Sequence, residues 1–357
     1  MDGIEYLPEP TDPRILSAVD PSIAGWQDGF RAKVTGWEPL VPPLTEPPRR
    51  VKDRTIGIWV VVILLTALLV LWDYQQPLTK LSYSDSEWAW EDSGIRSVQE
   101  LDLSGEGVHV CIVDTGIDLT HPDLNSVEVN FKDFVGNSAE AFDYGTISHG
   151  TMMAGILVGE GHISGAAPNV TLSVAAALQP NQEDENSGDE GVVADAIDWC
   201  WEQQSADIIS LSLGGDAMEG GQSTYSAVER AIAAGTFVVA AAGNDGGNED
   251  DGFVASPANV PLAIAVGSTS ENGTMWESSS RGNQQMQSGV RSSPNEKPEV
   301  VAPGVEIIST GPEGGYFSSS GTSDSTVFVV GALLLKYTYM SNNTSWIEMG
   351  HALSWFS

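Results

Sequence analysis

The chain has 357 residues and a formal net charge of −34, from 15 basic and 49 acidic side chains. So few cations exclude binding of nucleic acid through its phosphates, and an apolar content of 41% excludes a disordered acidic tail. Residues 1–82 hold 8 basic and 10 acidic side chains, whereas residues 83–357 hold 7 and 39. The second part would repel itself in dilute buffer. It reads as adapted to molar salt, where the screening length falls to about 3 Å.

Residues 1–55 are rich in proline (Pro8, Pro10, Pro13, Pro21, Pro39, Pro42, Pro43, Pro47, Pro48) and are expected to lack a core of their own. Ile56 to Trp72 is a run of 17 residues without a charge. As a helix it spans about 25 Å, the short end of a membrane crossing. Trp59 and Trp72 suit its interfaces. The run starts far from the N-terminus, and no small-residue cleavage site follows it, which argues against a removed signal peptide. Arg49, Arg50, Lys52 and Arg54 precede it, and Lys80 alone follows nearby. The basic flank predicts a single-pass protein of the cell membrane, with residues 1–55 cytoplasmic and everything after about Asp73 outside. Sequons at Asn169, Asn272 and Asn342 add slight support for that orientation.

Residues 73–84 read as a linker, 85–340 as the outer domain and 341–357 as a C-terminal segment. Within the outer domain, apolar runs predict strands at 108–113, 170–177, 206–213, 236–242 and 263–266. Helical spacing predicts helices at 149–157, 191–203, 225–234 and 323–339. The apolar run inside the last of these is too short for a second membrane crossing and reads as a core helix. Strands alternating with helices predict an α/β fold with a parallel sheet covered on both faces. Asp114, Ser212 and Asn244 all stand at strand ends, at the carboxyl edge where such sheets collect their sites. Of the two cysteines, Cys111 lies in the first strand and reads as a buried free thiol rather than one end of a bridge with Cys200.

Four short segments carry reactive chemistry: Asp114-Thr115-Gly116-Ile117-Asp118, His149-Gly150-Thr151, Ala240-Ala241-Ala242-Gly243-Asn244 and Gly321-Thr322-Ser323. Taken singly, Asp114 and Ser323 read as helix caps and His149 as a core histidine. Taken in the order Asp, His, Asn, Ser, they read as a hydrolytic triad with a side-chain amide. A serine hydroxyl becomes a useful nucleophile only when a base takes its proton.

In these segments, together with His121-Pro122-Asp123-Leu124 and Ala302-Pro303-Gly304, the chain resembles the subtilisin-like serine peptidases, the subtilase family, over roughly Trp88 to Leu335. The type expected is membrane-anchored, halophilic and archaeal. The resemblance implies a subtilisin-like three-layer fold with a mostly parallel central sheet, preceded here by one N-terminal transmembrane helix. It implies a serine endopeptidase working through an acyl-enzyme. Ser323 would be the nucleophile, His149 the base and then acid, Asp114 its orienting partner and Asn244 the oxyanion donor. Ser212, Leu213 and Gly214 resemble the strand that pairs with the substrate backbone, and Gly243 the wall of the first specificity pocket. The implied partners are a polypeptide substrate and the membrane, with no nucleic acid. No cofactor is required. Calcium has no clear site, although Asp123 matches a ligand position in some relatives, because the loop between Leu157 and Pro168 is short. The acidic stretch Glu183 to Glu190 would lie near the substrate cleft and favour basic residues a few positions before the cut. The linker leaves no room for the pro-domain that secreted relatives carry.

Two departures stand out. Where the family has Met-Ala-x-Pro after the nucleophile, this chain has Asp324-Ser325-Thr326-Val327, and Met152-Met153 replaces the usual His-Val. The rival reading they raise is a peptide-binding module that keeps the fold and the triad but is catalytically impaired.

Overall fold

The computed structural model describes residues 64–66, 85–215, 222–247, 252–282 and 297–342. The proline-rich tail, the linker, the C-terminal segment from residue 343 and most of the predicted membrane run lie outside the described residues. Of that run only Leu64–Thr66 are described, and they are helical, with Leu64 and Leu65 exposed. Among the described residues no helix is long and apolar enough to cross a membrane. The chain divides into two compact units, Met1–Tyr74 and Gln75–Ser357.

The second unit opens with α1 (Trp88–Asp92) and α2 (Ile95–Gln99), followed by β1 (His109–Asp114) and β2 (Val129–Asp133). Next come α3 (His149–Val158), β3 (Thr171–Ala176), the short strands β4 (Gln179–Pro180) and β5 (Asn186–Ser187), and α4 (Glu190–Glu202). The second half holds β6 (Ile208–Leu211), α5 (Gln222–Ala233), β7 (Phe237–Ala241), β8 (Ile264–Thr269) and β9 (Val300–Pro303). It closes with the hairpin β10 (Ile307–Thr310) and β11 (Tyr316–Ser319) and the 21-residue α6 (Thr322–Asn342). Seven strands form one sheet in the order β2-β3-β1-β6-β7-β8-β9, and every neighbouring pair is parallel. The edge strands β2 and β9 escaped the sequence reading because both are short and only partly buried.

Alternation along β1 divides the core in two. Val110 and Ile112 join a cluster with residues of α1, α2, α3 and α6, while Cys111 and Val113 join another with α4 and α5 on the opposite face. Within α6, Val327, Phe328, Val330, Leu334 and Leu335 are fully buried, so this helix is core, as its length predicted. Asp189 caps α4, its carboxylate accepting from the Gly191 and Val192 N–H groups.

The expectation of a free Cys111 thiol is corrected. Cys111 and Cys200 form a disulfide, with Cα atoms 5.7 Å apart and a sequence separation of 89. α4 packs over β1 and brings its own buried cysteine onto that face, a register that no local pattern announces. Closing so long a loop is expected to contribute about 2–5 kcal/mol by restricting the unfolded chain. Cys200→Ser, or reduction of the wild type, is therefore expected to lower the denaturation midpoint. Equal midpoints for oxidised and reduced protein would refute that contribution.

Candidate active site

β1 delivers Asp114 to the carboxyl edge of the sheet, where its side chain is fully buried. Its Oδ1 accepts from the Thr115 N–H at 2.7 Å and lies 2.7 Å from His149 Nδ1. His149 is the first residue of α3, and its side chain is 17% exposed, enough to reach the cleft. Burial alone would lower the His149 imidazole. The Asp114 charge and hydrogen bond, reinforced by Asp324 and Asp143, outweigh that and raise it to about 9.

The join between β1 and α3 rests on Asp143, which the sequence reading missed. Its Oδ1 accepts from Thr115 Oγ1 at 2.7 Å and Gly145 N at 2.8 Å. Its Oδ2 accepts from Thr151 N at 2.8 Å and Thr151 Oγ1 at 2.6 Å. Thr115 Oγ1 in turn accepts from Gly150 N at 2.9 Å. One buried carboxylate thus ties the residues following Asp114 to those following His149. Burial pushes the Asp143 carboxyl up, against these four hydrogen bonds. In a chain with 49 acids nothing marked this one beforehand.

Ser323 stands at the start of α6. Its Oγ donates to the Ser212 carbonyl at 3.1 Å, and Ser212 Oγ donates to the Ser323 carbonyl at the same distance. Asn244 follows β7, and its Oδ1 accepts from Thr322 N at 2.9 Å and Thr322 Oγ1 at 3.0 Å. With the oxygen so occupied, Nδ2 is left as the free donor of that amide. Gly243, at φ +109°, donates its N–H to Thr322 Oγ1 at 3.1 Å. His149, Ser212, Leu213, Gly214, Gly243, Asn244 and Ser323 line one cleft of about 830 Å³, with Asp114 behind the imidazole. Glu185 and Glu190, from the acidic stretch, line the same cleft.

The departures now have positions. Met152 and Met153 are fully buried in the core beneath α3. Asp324 is only 2% exposed, and its Oδ1 accepts from Ser319 Oγ at 2.5 Å. Asp123, which matches a calcium-ligand position in some relatives, is buried among protein donors. Its Oδ2 accepts from Ile163 N at 2.7 Å and its Oδ1 from Tyr316 OH at 3.0 Å. Burial, and Asp123 beside it, push the Tyr316 hydroxyl up to about 12, so it remains a donor.

A parallel sheet thus brings an imidazole, a hydroxyl and a side-chain amide to one cleft, with a carboxylate behind the imidazole. The chain belongs to the subtilase family, whose model matches residues 105–353. It is 34% identical over 250 residues to Subtilisin DY of Bacillus licheniformis, covering 68% of this chain and 82% of that one. It is 32% identical over 246 residues to Subtilisin E of Bacillus subtilis (strain 168), covering 68% of this chain but only 58% of the relative. The crystal structure of a cold adapted subtilisin-like serine proteinase matches with a TM-score of 0.54 and 31% identity, over 68% of this chain and 78% of that one.

Proposed function

We propose that the chain is a serine endopeptidase, anchored in the cell membrane by residues 56–72, with its catalytic domain outside the cell in concentrated salt. The observation that carries the peptidase reading is the 2.7 Å Asp114–His149 pair at a cleft that Ser323 and Asn244 also line. Rotation of the Ser323 side chain away from the Ser212 carbonyl brings its proton to His149 as the oxygen attacks the scissile carbonyl. The new oxyanion is met by Asn244 Nδ2 and the Ser323 N–H, and Asp114 stabilises the imidazolium. The imidazolium protonates the departing amine, leaving an acyl-enzyme. A water, deprotonated by the same imidazole, then releases the acid.

The membrane and salt readings rest on the uncharged run with its basic flank and on the net charge of −34. A disulfide suits an oxidising compartment. Glu185 and Glu190 support a preference for basic side chains in the substrate, which a peptide-library profile would test. The reading as a whole is tested by fluorophosphonate labelling of the membrane fraction in about 3 M salt, where the screening length is shortest. Labelling confined to wild type, and absent from Ser323→Ala and His149→Ala, supports it. A folded wild type that resists the probe would favour the peptide-binding module.

Two expected outcomes follow from the site. Asn244→Ala should lower turnover by about 10²–10³, the scale known from the oxyanion asparagine of subtilisin, while the Ser323 hydroxyl stays reactive toward the probe. Unchanged turnover would remove Asn244 from the reaction. The base must be neutral to act, and His149 is raised to about 9, so kcat/KM should rise about tenfold per pH unit below that value and level off above it. The same shift makes the His149–Asp114 contribution to stability fully present below the unfolded histidine value. That contribution is lost as pH rises through about 9. A rate profile flat from pH 6 to 9 would contradict this.

A further inference from the structure

The chain carries three Asn-x-Thr triplets, the acceptor pattern for N-glycosylation, and the structure separates two of them. Asn272 is exposed, in the loop that follows β8. That loop closes on itself over residues 270–274. Ser270 N donates to the Thr274 carbonyl at 3.0 Å, and Gly273 N donates to the Ser270 carbonyl at 2.8 Å. Gly273 takes φ +74°, a left-handed conformation that suits glycine. Asn272 Oδ1 accepts from Thr274 Oγ1 at 2.6 Å and from Thr274 N at 2.9 Å, with Ser270 Oγ 2.8 Å away. This is an Asx turn, in which a side-chain oxygen stands in for a backbone carbonyl. Asn272 Nδ2 has no protein partner among the described residues. Asn169 is arranged the opposite way. Its Nδ2 donates to Ser104 Oγ at 2.8 Å and to Glu106 Oε1 at 3.3 Å. Its own threonine, Thr171, is the first residue of β3 and pairs with His109 in the sheet. The third triplet, at Asn342, runs beyond the described residues and takes no part.

We propose that Asn272 is a glycosylation site, selected by its turn, which takes an oligosaccharide from a lipid-phosphate-linked donor while Asn169 stays bare. The inference rests on the reading that places this domain outside the cell, and the reaction is done to this chain by a membrane transferase. An amide nitrogen is a weak nucleophile because its lone pair is shared with the carbonyl. Donors on Oδ1 favour the form in which Nδ2 has given up a proton, as hydrogen bonds to any charged form do. Nδ2 then attacks the anomeric carbon of the first sugar. The C–N bond forms as the anomeric C–O bond breaks, its electron pair leaves with the lipid phosphate, and the amide proton passes to a base of the transferase. Every bond of the turn lies within five residues, so the domain presents the same acceptor before and after it packs. Folding instead commits the Asn169 amide to Ser104 and Glu106, more than sixty residues earlier in the chain.

The test is site-by-site mass spectrometry of intact glycopeptides from the full-length chain, purified from the membranes of the cells that make it. Sugar mass should appear on the peptide carrying Asn272 and be absent from the one carrying Asn169. It should vanish in Thr274→Ala and persist in Thr274→Ser, which keeps the hydroxyl. It should fall severalfold in Gly273→Ala, which keeps the triplet but disfavours the left-handed turn. A membrane-impermeant amine reagent on intact cells, read at Lys80 and Lys132 with lysed cells as the control, reports separately where the domain lies. A domain open to the reagent with Asn272 bare overturns the proposal and leaves the location reading standing. A domain closed to the reagent with Asn272 bare overturns both. Equal occupancy of Asn169 and Asn272, or undiminished occupancy in Gly273→Ala, would mean that the turn does not select the site, and overturns the proposal as well.

Discussion

Replacing Ser323 by alanine is expected to lower turnover of a peptide substrate about 10⁶-fold, the scale established on subtilisin, a relative of this chain, while leaving the fold in place. The two halves of that expectation have separate causes. Chemically, Ser323 carries the hydroxyl that lines the cleft together with His149 and Asn244, and without it no acyl-enzyme forms. Structurally, the loss is one partly exposed hydrogen bond to the Ser212 carbonyl, about 1 kcal/mol. The reciprocal bond from Ser212 Oγ to the Ser323 carbonyl survives because it uses backbone. His149→Ala should cost a similar factor, and the double variant little more, since the two groups act as a unit. Steady-state rates with a titrated active-site concentration decide it. Turnover above about 1% of wild type in Ser323→Ala would mean that another group performs the attack, because even partial damage to a triad usually costs more.

Much of this site could be read from the chain because its chemistry is local in sequence. The β1 run ends at Asp114, and α3 and α6 begin within a residue of His149 and Ser323. Each reactive group therefore lies at the boundary of a periodic segment, where pattern changes are visible. The five inner strands of the seven-stranded parallel sheet follow from the alternation of apolar strands and helices by the same logic. What was not legible depends on contacts across long separations. The Cys111–Cys200 bridge needs the register of α4 over β1. Asp143 works only because the loop before α3 returns it between Thr115 and Thr151. Asp123 stands out by its neighbours in sequence, yet Tyr316, whose hydroxyl donates to its Oδ1, lies 193 residues away.

Gly150→Ala is expected to destabilise the domain by about 3 kcal/mol or more and to lower kcat/KM at least 10²-fold, a substitution whose sign local propensity would get wrong. Gly150 is the second residue of α3, and alanine is a better helix former than glycine by about 1 kcal/mol in a helix interior. On propensity alone the change should stabilise. The added methyl, however, would lie 2.2 Å from the Gly116 carbonyl oxygen and 2.9 Å from its nitrogen. Those atoms cannot swing aside as a side chain would. Gly116 is at φ +125°, and a methyl on it would come 2.0 Å from the Phe142 carbonyl oxygen, so that turn is already hemmed in. The remaining escape is for the start of α3 to move outward. That stretches the Gly150 N–H bond to Thr115 Oγ1, unloads Asp143 and carries His149 away from Asp114. A displacement of about 1 Å at a reacting group is enough for a hundredfold loss, and overpacking against rigid backbone costs upward of the usual 1–3 kcal/mol. Thermal melts and kcat/KM on the same preparations separate the two accounts. A variant with a raised Tm and ordinary turnover would show that α3 can shift without cost, and that the contact between α3 and the turn after β1 does not hold His149 in place.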